Sequence, residues 1–232
     1  MPIGYQEVKC HLIFDVKMGE NFRRKARFVA GGHTTDVPTV LTYASVVSQD
    51  SVRIALTIAA LNNLDVMACD IQNAYLTTDC REKIGTRAGP EFGSEAGTLF
   101  LVKKALYGLK SAGAAFRPLL AETLYDLGYV PTRADPDVWL RPAVKSDGFE
   151  YYEMVLCYVD DVLSLSADPL TTLSGLKSTF KLKDNKIEEP NMYLGAQLGK
   201  MIIDGVESWT MSAEKYCLES VKNVEAALYQ IV

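Results

Sequence analysis

The stretch VLCYVDDVLSLS, residues 155–166, places two aspartates inside an apolar run whose residues favour β-strands. Successive side chains of a strand point to opposite faces of a sheet, so Asp160 and Asp161 can serve one site only if the chain turns at them. Because the sequence on both sides is typical of strands, we predict a tight β-hairpin with VDD at its tip. Aspartate is also common at turns, where its side chain bonds to nearby backbone, so the pair alone does not define a site.

A third carboxylate has the same character. Asp70 ends the apolar run VMACD, and the polar residues Gln72 and Asn73 follow it. An acidic residue at the end of a buried strand is often structural. Carboxylates at strand ends are nevertheless the oxygen ligands that Mg²⁺ prefers, and clustered like charges are costly unless a cation neutralises them. The pattern therefore suits a hard-cation site built from Asp70, Asp160 and Asp161.

Composition argues against several other classes of protein and of site. The chain has 232 residues, 48% of them hydrophobic, with mean hydropathy +0.03, which allows one large domain or two small ones. No apolar run reaches the roughly 18 residues of a membrane span, and the start MPIGYQEVKC has neither a basic leader nor an apolar signal core, so we expect an intracellular protein without a membrane partner. Five scattered cysteines, none spaced C-x-x-C, and only two histidines argue against disulfide, zinc or His-based metal sites.

The net charge of −5 and the pI of about 5.2 argue against a uniformly basic surface for nucleic acid. Three local groups of basic residues depart from that average, and each is either a phosphate contact or a solvated face. They are Lys17, Arg23, Arg24, Lys25 and Arg27; Lys103, Lys104 and Lys110; and Lys177, Lys181, Lys183 and Lys186.

Strand, helix and hairpin patterns alternate without regular βαβ spacing, which predicts an α+β fold with a largely antiparallel sheet. Strands are predicted at 10–18 and 24–32 (a hairpin with its turn at 18–22), at 64–76 with an end near Asp70, and at 98–106, 135–143, 149–158, 191–203 and 207–213, the last two as a closing hairpin. Helices are predicted at 51–62 after an Asp50/Ser51 cap, at 119–127 with Gly128 as the terminating glycine, and at 170–180, and residues 79–98 are predicted to be an exposed loop.

Six motifs in order closely resemble the reverse transcriptase domain of Ty1/copia-type LTR retrotransposons, over residues 3–209. They are KARFVAGG from Lys25, TYASVVS from Thr42, DIQNAYL from Asp70, KKALYGLK from Lys103, YVDD from Tyr158 and YLGAQL from Tyr193. The resemblance implies a right-hand polymerase fold, with an RRM-like antiparallel palm sheet, fingers, and a thumb that is largely missing. It implies a single domain, with fingers-like segments 1–45 and 82–117, palm segments 46–81 and 118–204, and the truncated start of a thumb at 205–232.

The resemblance also implies an RNA- and DNA-directed DNA polymerase that uses two Mg²⁺ ions, with Mn²⁺ as a substitute. Its partners would be a primed RNA or DNA template, deoxynucleoside triphosphates and the other Gag and Pol domains of a parent polyprotein, in a cytoplasmic virus-like particle. Residues that match family positions carry roles over one by one. The catalytic, metal-binding carboxylates are matched by Asp70, Asp160 and Asp161, and Ile71 would lend its backbone carbonyl to a metal. Nucleotide-binding positions of the family are matched by Lys25, Arg27, Ile71, Tyr75, Gly108 and Lys110, with Tyr75 as the steric gate under the sugar. Positions that contact nucleic acid are matched by Tyr158, Tyr193, Leu194 and Gly195.

The chain departs from the family pattern in one segment. The family reads LYGLKQAPRAW where this chain reads LYGLKSAGAAF, and Lys or Arg is usual at the position of Gly31. Pro118 falls where the family's helix is under way, so either the helix begins at Pro118 or the segment is strained. Two hypotheses follow: an active polymerase, favoured by the intact carboxylates and Tyr75, or an impaired or co-opted remnant that only binds nucleic acid, favoured by the altered segment.

Overall fold

A computed structural model describes residues 1–17 and 22–229 of the chain. The strands are β1 (Gln6–Glu7), β2 (Cys10–Lys17), β3 (Arg23–Ala30), β4 (Asp65–Asp70), β5 (Ile84–Arg87), β6 (Leu99–Leu101), β7 (Val130–Pro131), β8 (Val138–Val144), β9 (Glu150–Tyr158), β10 (Asp161–Ser166), β11 (Met192–Tyr193), β12 (Ala196–Ile203) and β13 (Val206–Ser212). The α-helices are α1 (Gln49–Leu61), α2 (Ala112–Asp126), α3 (Pro169–Gly175) and α4 (Glu214–Tyr229). Short 3-10 turns cover Gly32–Thr34, Ala74–Thr77, Pro90–Glu95, Leu176–Ser178 and Lys183–Asn185.

The fold is mixed, with helices and several sheets in two compact units. The first unit contains Met1–Ala44 and Asn73–Glu122, and the second contains Ser45–Gln72 and Thr123–Val232. Most strand pairs are antiparallel, as predicted, whereas β1 and β5 pair in parallel. Among the described residues, no helix combines the length and the apolar character needed to cross a membrane.

The second unit is built on a five-stranded antiparallel sheet in the order β4-β10-β9-β8-β7. Its central strands β9 and β10 are fully buried over most of their length, which explains why their sequences are nearly continuous apolar runs. Helix α1 packs its buried stripe of Val52, Ala55, Leu56 and Ala59 into the same core. The predicted helix is confirmed, but its predicted cap is wrong: the Ser48 side chain accepts from the Ser51 N–H and begins the helix earlier.

The closing hairpin of the second unit is confirmed as β12 and β13, which pair antiparallel from Ile203↔Val206 to Gln197↔Ser212. A short strand, β11, adds to β12 through a two-residue turn at Leu194 and Gly195, both with positive φ (51° and 76°). A turn with two positive φ values matches the right-handed twist of the strands that it joins. This turn therefore fixes the backbone of the YLG motif.

In the first unit, β2 and β3 form the predicted hairpin, in register from Cys10↔Ala30 to Lys17↔Arg23. Of its predicted turn at 18–22, residues 18–21 lie outside the described residues. The predicted exposed loop at 79–98 is wrong in part, because Ile84, Gly85 and Thr86 are buried in β5, between β1 and β6. Glycine, proline and charged residues indicated a loop here, but burial against neighbouring strands overrides that weak local preference.

Helix α2 shows that the first interpretation of Pro118, as the start of the helix, is wrong, and that the proline lies inside the helix. The helix begins at Ala112 rather than at Leu119 and runs through Pro118 to Asp126. Ala112, Ala114, Ala115 and Phe116 are buried, and this burial offsets the cost of an interior proline, about 3 kcal/mol. The end was predicted correctly: Gly128 has φ +85°, and the N–H groups of Gly128 and Tyr129 bond to Tyr125 and Leu124, as in a Schellman motif.

Two further helices differ from the sequence pattern. The predicted helix 170–180 ends as an α-helix at Gly175 and continues as a 3-10 turn to Ser178. Helix α4 follows β13 and was not predicted. Its large apolar side chains, such as Val221 and Val224, are more than half exposed, so it lacks the buried stripe by which α1 could be recognised.

Replacing Pro118 by Ala should stabilise the protein. Alanine restores an N–H donor for the Ala114 carbonyl, and position 118 is exposed, so no packing is lost. We expect the free energy of unfolding, measured with urea, to rise by about 1–3 kcal/mol. Gly128→Ala is the matched control and should lower it by about 1 kcal/mol, because φ at Gly128 is +85°. An unchanged or lower value for Pro118→Ala would mean that α2 has adapted fully to the ring.

Candidate active site

The two neighbouring aspartates lie at the hairpin tip, as predicted. Tyr158 pairs with Asp161, so Val159 and Asp160 form a two-residue turn between β9 and β10. Val159 has φ +56°, and a positive φ at the first turn residue fits a type II′ hairpin turn. A β-branched residue rarely adopts this conformation, which costs on the order of 1–3 kcal/mol. Strong pairing of the buried flanking strands therefore holds a strained turn in place.

Asp70 lies at the same end of the sheet. Strand β10 pairs with β4 in a register that puts Asp161 directly opposite Asp70. The Ile71 N–H donates to the Asp160 carbonyl at 2.8 Å, and this bond ties the hairpin tip to the end of β4. Three aspartates separated by 90 positions in sequence are thus brought to one edge of the second unit.

Electrostatic repulsion is concentrated at Asp161. Burial, followed by the negative charges of Asp160 and Asp70, raises the pKa of Asp161 to about 6, against an opposing effect of Lys183. The Lys183 ammonium lies 3.3 Å from Asp70 Oδ2. Lys183 was predicted only as one member of a basic group, and no sequence signal connects it with Asp70, which lies 113 positions earlier.

The donor set suits a divalent cation. Carboxylates are the ligands that Mg²⁺ prefers, and a cation between Asp70 and Asp161 would relieve their repulsion. Within residues 1–17 and 22–229, however, no group of three or more His, Cys, Asp or Glu side chains is arranged so that it could hold a metal ion. The structure therefore shows a facing pair of carboxylates with a third nearby on the turn, and not a complete metal centre.

The predicted nucleic-acid contacts of the second unit differ in accessibility. Tyr158 is 39% exposed at the end of β9. Tyr193, in contrast, is buried, and its hydroxyl donates to the Leu156 carbonyl at 3.1 Å. Burial raises its pKa well above the ordinary value, so the phenol stays neutral. In the turn that follows Tyr193, Gly195 is exposed, and no atom lies within 4 Å of a Cβ built there.

The predicted nucleotide-binding residues other than Ile71 belong to the first unit. Lys25 and Arg27 lie on one face of β3, opposite Asp15 and Ile13 of β2. The Lys110 ammonium is bound to main-chain oxygen, 2.6 Å from the Thr35 carbonyl.

Gly108 packs backbone against backbone. A Cβ at Gly108, where φ is +89°, would lie 2.1 Å from the Ala30 carbonyl oxygen, so only glycine fits. Tyr75 packs against two other aromatic rings, those of Tyr107 and Phe116.

The start of α2 is held by a residue that the sequence did not indicate. The Ser111 N–H and hydroxyl both donate to Glu82 Oε1, at 3.0 and 2.6 Å. Ser111 stands in the segment that departs from the family pattern, so the departure is accompanied by a partner for the new side chain.

Comparison with known proteins gives a consistent result. A family model described as "Reverse transcriptase (RNA-dependent DNA polymerase)" matches residues 1–227. The retrovirus-related Pol polyprotein from transposon RE1 of Arabidopsis thaliana is 30% identical over 91% of this chain and 14% of its own length. The corresponding polyprotein from transposon TNT 1-94 of Nicotiana tabacum is 29% identical over 79% of this chain and 14% of its own. The transposon Ty1-DR5 Gag-Pol polyprotein of Saccharomyces cerevisiae is 30% identical over 70% and 9%. The chain thus spans about one seventh, or less, of these relatives.

Removing the charge of Asp161 should stabilise the fold in the absence of divalent cations. Like charges directly opposite each other in an antiparallel pair are destabilising, and Asp161 is partly exposed, so screening reduces the effect. We expect Asp161→Asn to raise the free energy of unfolding at pH 7 in EDTA by roughly 1 kcal/mol, measured with urea. Asp65→Asn, at the other end of the same strand pair and opposite Ser166, is the control and should leave it unchanged. A less stable Asp161→Asn would show that this carboxylate holds the hairpin together.

Proposed function

The chain belongs to the reverse transcriptase (RNA-dependent DNA polymerase) family, of the Ty1/copia type, and we propose that it copies retrotransposon RNA into DNA by two-metal-ion nucleotidyl transfer, on RNA and DNA templates. The observation that carries this proposal is the register that sets Asp161 opposite Asp70, with Asp160 at the adjoining turn. Buried strands, a strained turn and only partly compensated repulsion are combined at one place, which is expected of a catalytic centre rather than of a structural turn.

In the proposed mechanism, Asp70, Asp160 and Asp161, with the Ile71 carbonyl, would hold two Mg²⁺ ions, or Mn²⁺ in their place. Bound there, the ions would lower the pKa of the primer 3′-hydroxyl and neutralise charge on the triphosphate. The remaining work of the protein is positioning, because phosphoryl transfer needs little covalent help. Lys183 would leave Asp70 as a divalent ion binds, since both are attracted by the same carboxylate.

The nucleotide is proposed to contact the first unit. Lys25 and Arg27 offer cationic donors for the triphosphate from one face of β3. Tyr75 would lie under the sugar and disfavour a 2′-hydroxyl. Gly108 and Lys110 would line the pocket by their backbone, because the Lys110 side chain is bound to the Thr35 carbonyl.

We assign the units by analogy with the polymerase hand. The fingers-like segments 1–45 and 82–117 fall largely in the first unit, and the palm segments 46–81 and 118–204, with the five-stranded sheet as an RRM-like palm, fall largely in the second. Residues 73–81 and 118–122, assigned to the palm, belong to the first unit, and 205–232, with α4, would begin a thumb. Tyr158 and the turn at Leu194 and Gly195 would contact the primed template. The partners are proposed to be a primed RNA or DNA template, deoxynucleoside triphosphates and the other Gag and Pol domains of a polyprotein, within a virus-like particle.

The second candidate function is an impaired or co-opted remnant that binds nucleic acid without catalysis. It is favoured by the altered segment, in which Ser111, Gly113, Ala114 and Phe116 replace the family's Gln, Pro, Arg and Trp. Against it, the segment forms the ordered first half of α2, and Ser111 has a hydrogen-bonding partner in Glu82. The loss of the Arg removes a charged donor, which would lower the rate rather than disorder the site.

Primer extension separates the two functions. We expect the intact chain to extend a DNA primer on poly(rA) in Mg²⁺, and we expect Asp160→Asn to lose at least about 100-fold in rate because a charge that binds the ions is gone. Asp65→Asn is the control for an exposed β4 carboxylate and should retain full activity. Retained primer–template binding without extension by the intact chain would favour the remnant. Extension by Asp160→Asn at the intact rate would exclude Asp160 from the metal-binding set.

A further inference from the structure

The side chain of Tyr75 is fixed by two aromatic neighbours in the first unit. Its ring centroid lies 4.8 Å from that of Tyr107, at an interplanar angle of 47°, and 6.2 Å from that of Phe116, at 69°. Phe116 is 2% exposed and belongs to the ordered first half of α2. Tyr75 and Tyr107 are both half-buried, so Tyr75 has one packed side and one accessible side.

The nearer neighbour, Tyr107, is itself held by the backbone. The Ala30 N–H donates to the Tyr107 carbonyl at 2.9 Å. The next residue, Gly108, packs so closely that a Cβ there would lie 2.1 Å from the Ala30 carbonyl oxygen, and a Cβ at Gly32 would lie 2.0 Å from the Gly108 carbonyl oxygen. The backbones of residues 30–32 and 107–108 are therefore in direct contact, with no side chain between them, and the backbone of Tyr107 has little freedom to move.

Space near the Tyr75 hydroxyl is also limited. A Cβ built at Gly113 would lie 4.0 Å from this hydroxyl and 3.3 Å from the Ala44 Cβ. A side chain longer than alanine at position 113 would therefore displace either Ala44 or the end of Tyr75. Tyr107 and Phe116 contact the ring of Tyr75, which also packs against the buried cluster that includes Ala105 and Ala112.

We infer that Tyr107 is a positioning residue for the choice of sugar: it fixes the ring of Tyr75, and thereby sets how strongly the protein discriminates between deoxyribonucleoside and ribonucleoside triphosphates. This inference rests on the proposed role of Tyr75 as the steric gate. A gate excludes a 2′-hydroxyl only if its ring cannot turn away, because a difference of one small group is resolved by a well-fixed surface. Tyr107 does not need to touch the nucleotide for this purpose, and Phe116 supports the same ring from α2.

The test is an equilibrium measurement that does not require turnover. The full chain is bound to a primer–template whose primer ends in a dideoxynucleotide, and dissociation constants are measured in Mg²⁺ for the matching deoxyribonucleoside and ribonucleoside triphosphates. Their ratio is the discrimination. We expect Tyr75→Ala to bring the ratio close to one and Tyr107→Leu to reduce it by about three- to tenfold, the range that corresponds to one lost aromatic contact.

Three variants distinguish positioning from general damage. Tyr107→Phe keeps the ring and should keep the ratio within twofold. Phe92→Leu removes an aromatic ring elsewhere in the same unit, one that packs on Phe28 and Phe100, and should also leave the ratio unchanged. The double variant Tyr75→Ala with Tyr107→Leu should be no worse than Tyr75→Ala alone, because Tyr107 acts through Tyr75.

Each outcome has a defined meaning. If Tyr75→Ala lowers the ratio and Tyr107→Leu does not, the inference is wrong and the gate stands. If Tyr75→Ala leaves the ratio unchanged, the gate fails and the inference fails with it. If the intact chain binds neither triphosphate, the proposed nucleotide site is overturned; if it binds both equally, the gate is overturned, and in either case this inference is too. Should thermal unfolding show that Tyr107→Leu is not folded, Phe116→Leu takes its place, with the same expected reduction and the same outcome against it.

Discussion

The register between β4 and β10 is the constraint on which the proposed chemistry depends. Side chains alternate between the faces of a sheet, so a slip of one residue would move Asp161 to the face opposite Asp70. Two features prevent that slip. A slip would replace Leu163 and Leu165 in the core by their serine neighbours, and the Ile71 N–H would lose the Asp160 carbonyl at the turn. The position of a few carboxylates is thus set by hydrophobic burial along the whole strand.

Two energetically unfavourable features lie at this edge of the sheet. Val159 has φ +56°, and Asp161 faces Asp70 with Asp160 beside it. An isolated hairpin is only marginally stable in water, so it would retain neither the strained turn nor the facing carboxylates. The five-stranded sheet and α1 supply the burial that compensates for both. Lys183 supplies part of the missing positive charge, 3.3 Å from Asp70 Oδ2.

Local chemistry explains which features could be predicted from the sequence. The hairpin at VDD follows from strand-forming flanks around a turn, and the end of α2 follows from Gly128, because each signal lies within a few residues. The features that could not be predicted depend on packing between residues that are distant in sequence. Helix α2 runs through Pro118 because its alanines and Phe116 are buried, and β5 forms because β1 and β6 lie on either side of it. The contact of Lys183 with Asp70 and the support of Ser111 by Glu82 both require the fold, and the primary sequence contains no periodicity that connects them.

The two sets of predicted site residues are positioned by different physical means, and this difference bears on how the protein can vary. The carboxylates of the second unit are fixed by strand register, which tolerates many apolar replacements as long as burial is kept. Tyr75 in the first unit packs instead against the rings of Tyr107 and Phe116. Changes in the segment from Ser111 to Phe116 therefore act on the surroundings of Tyr75 while leaving the register of β4 and β10 intact. Under the proposed function, a chain that departs from its family in that segment would keep its carboxylates in place and differ in how strongly it selects the sugar.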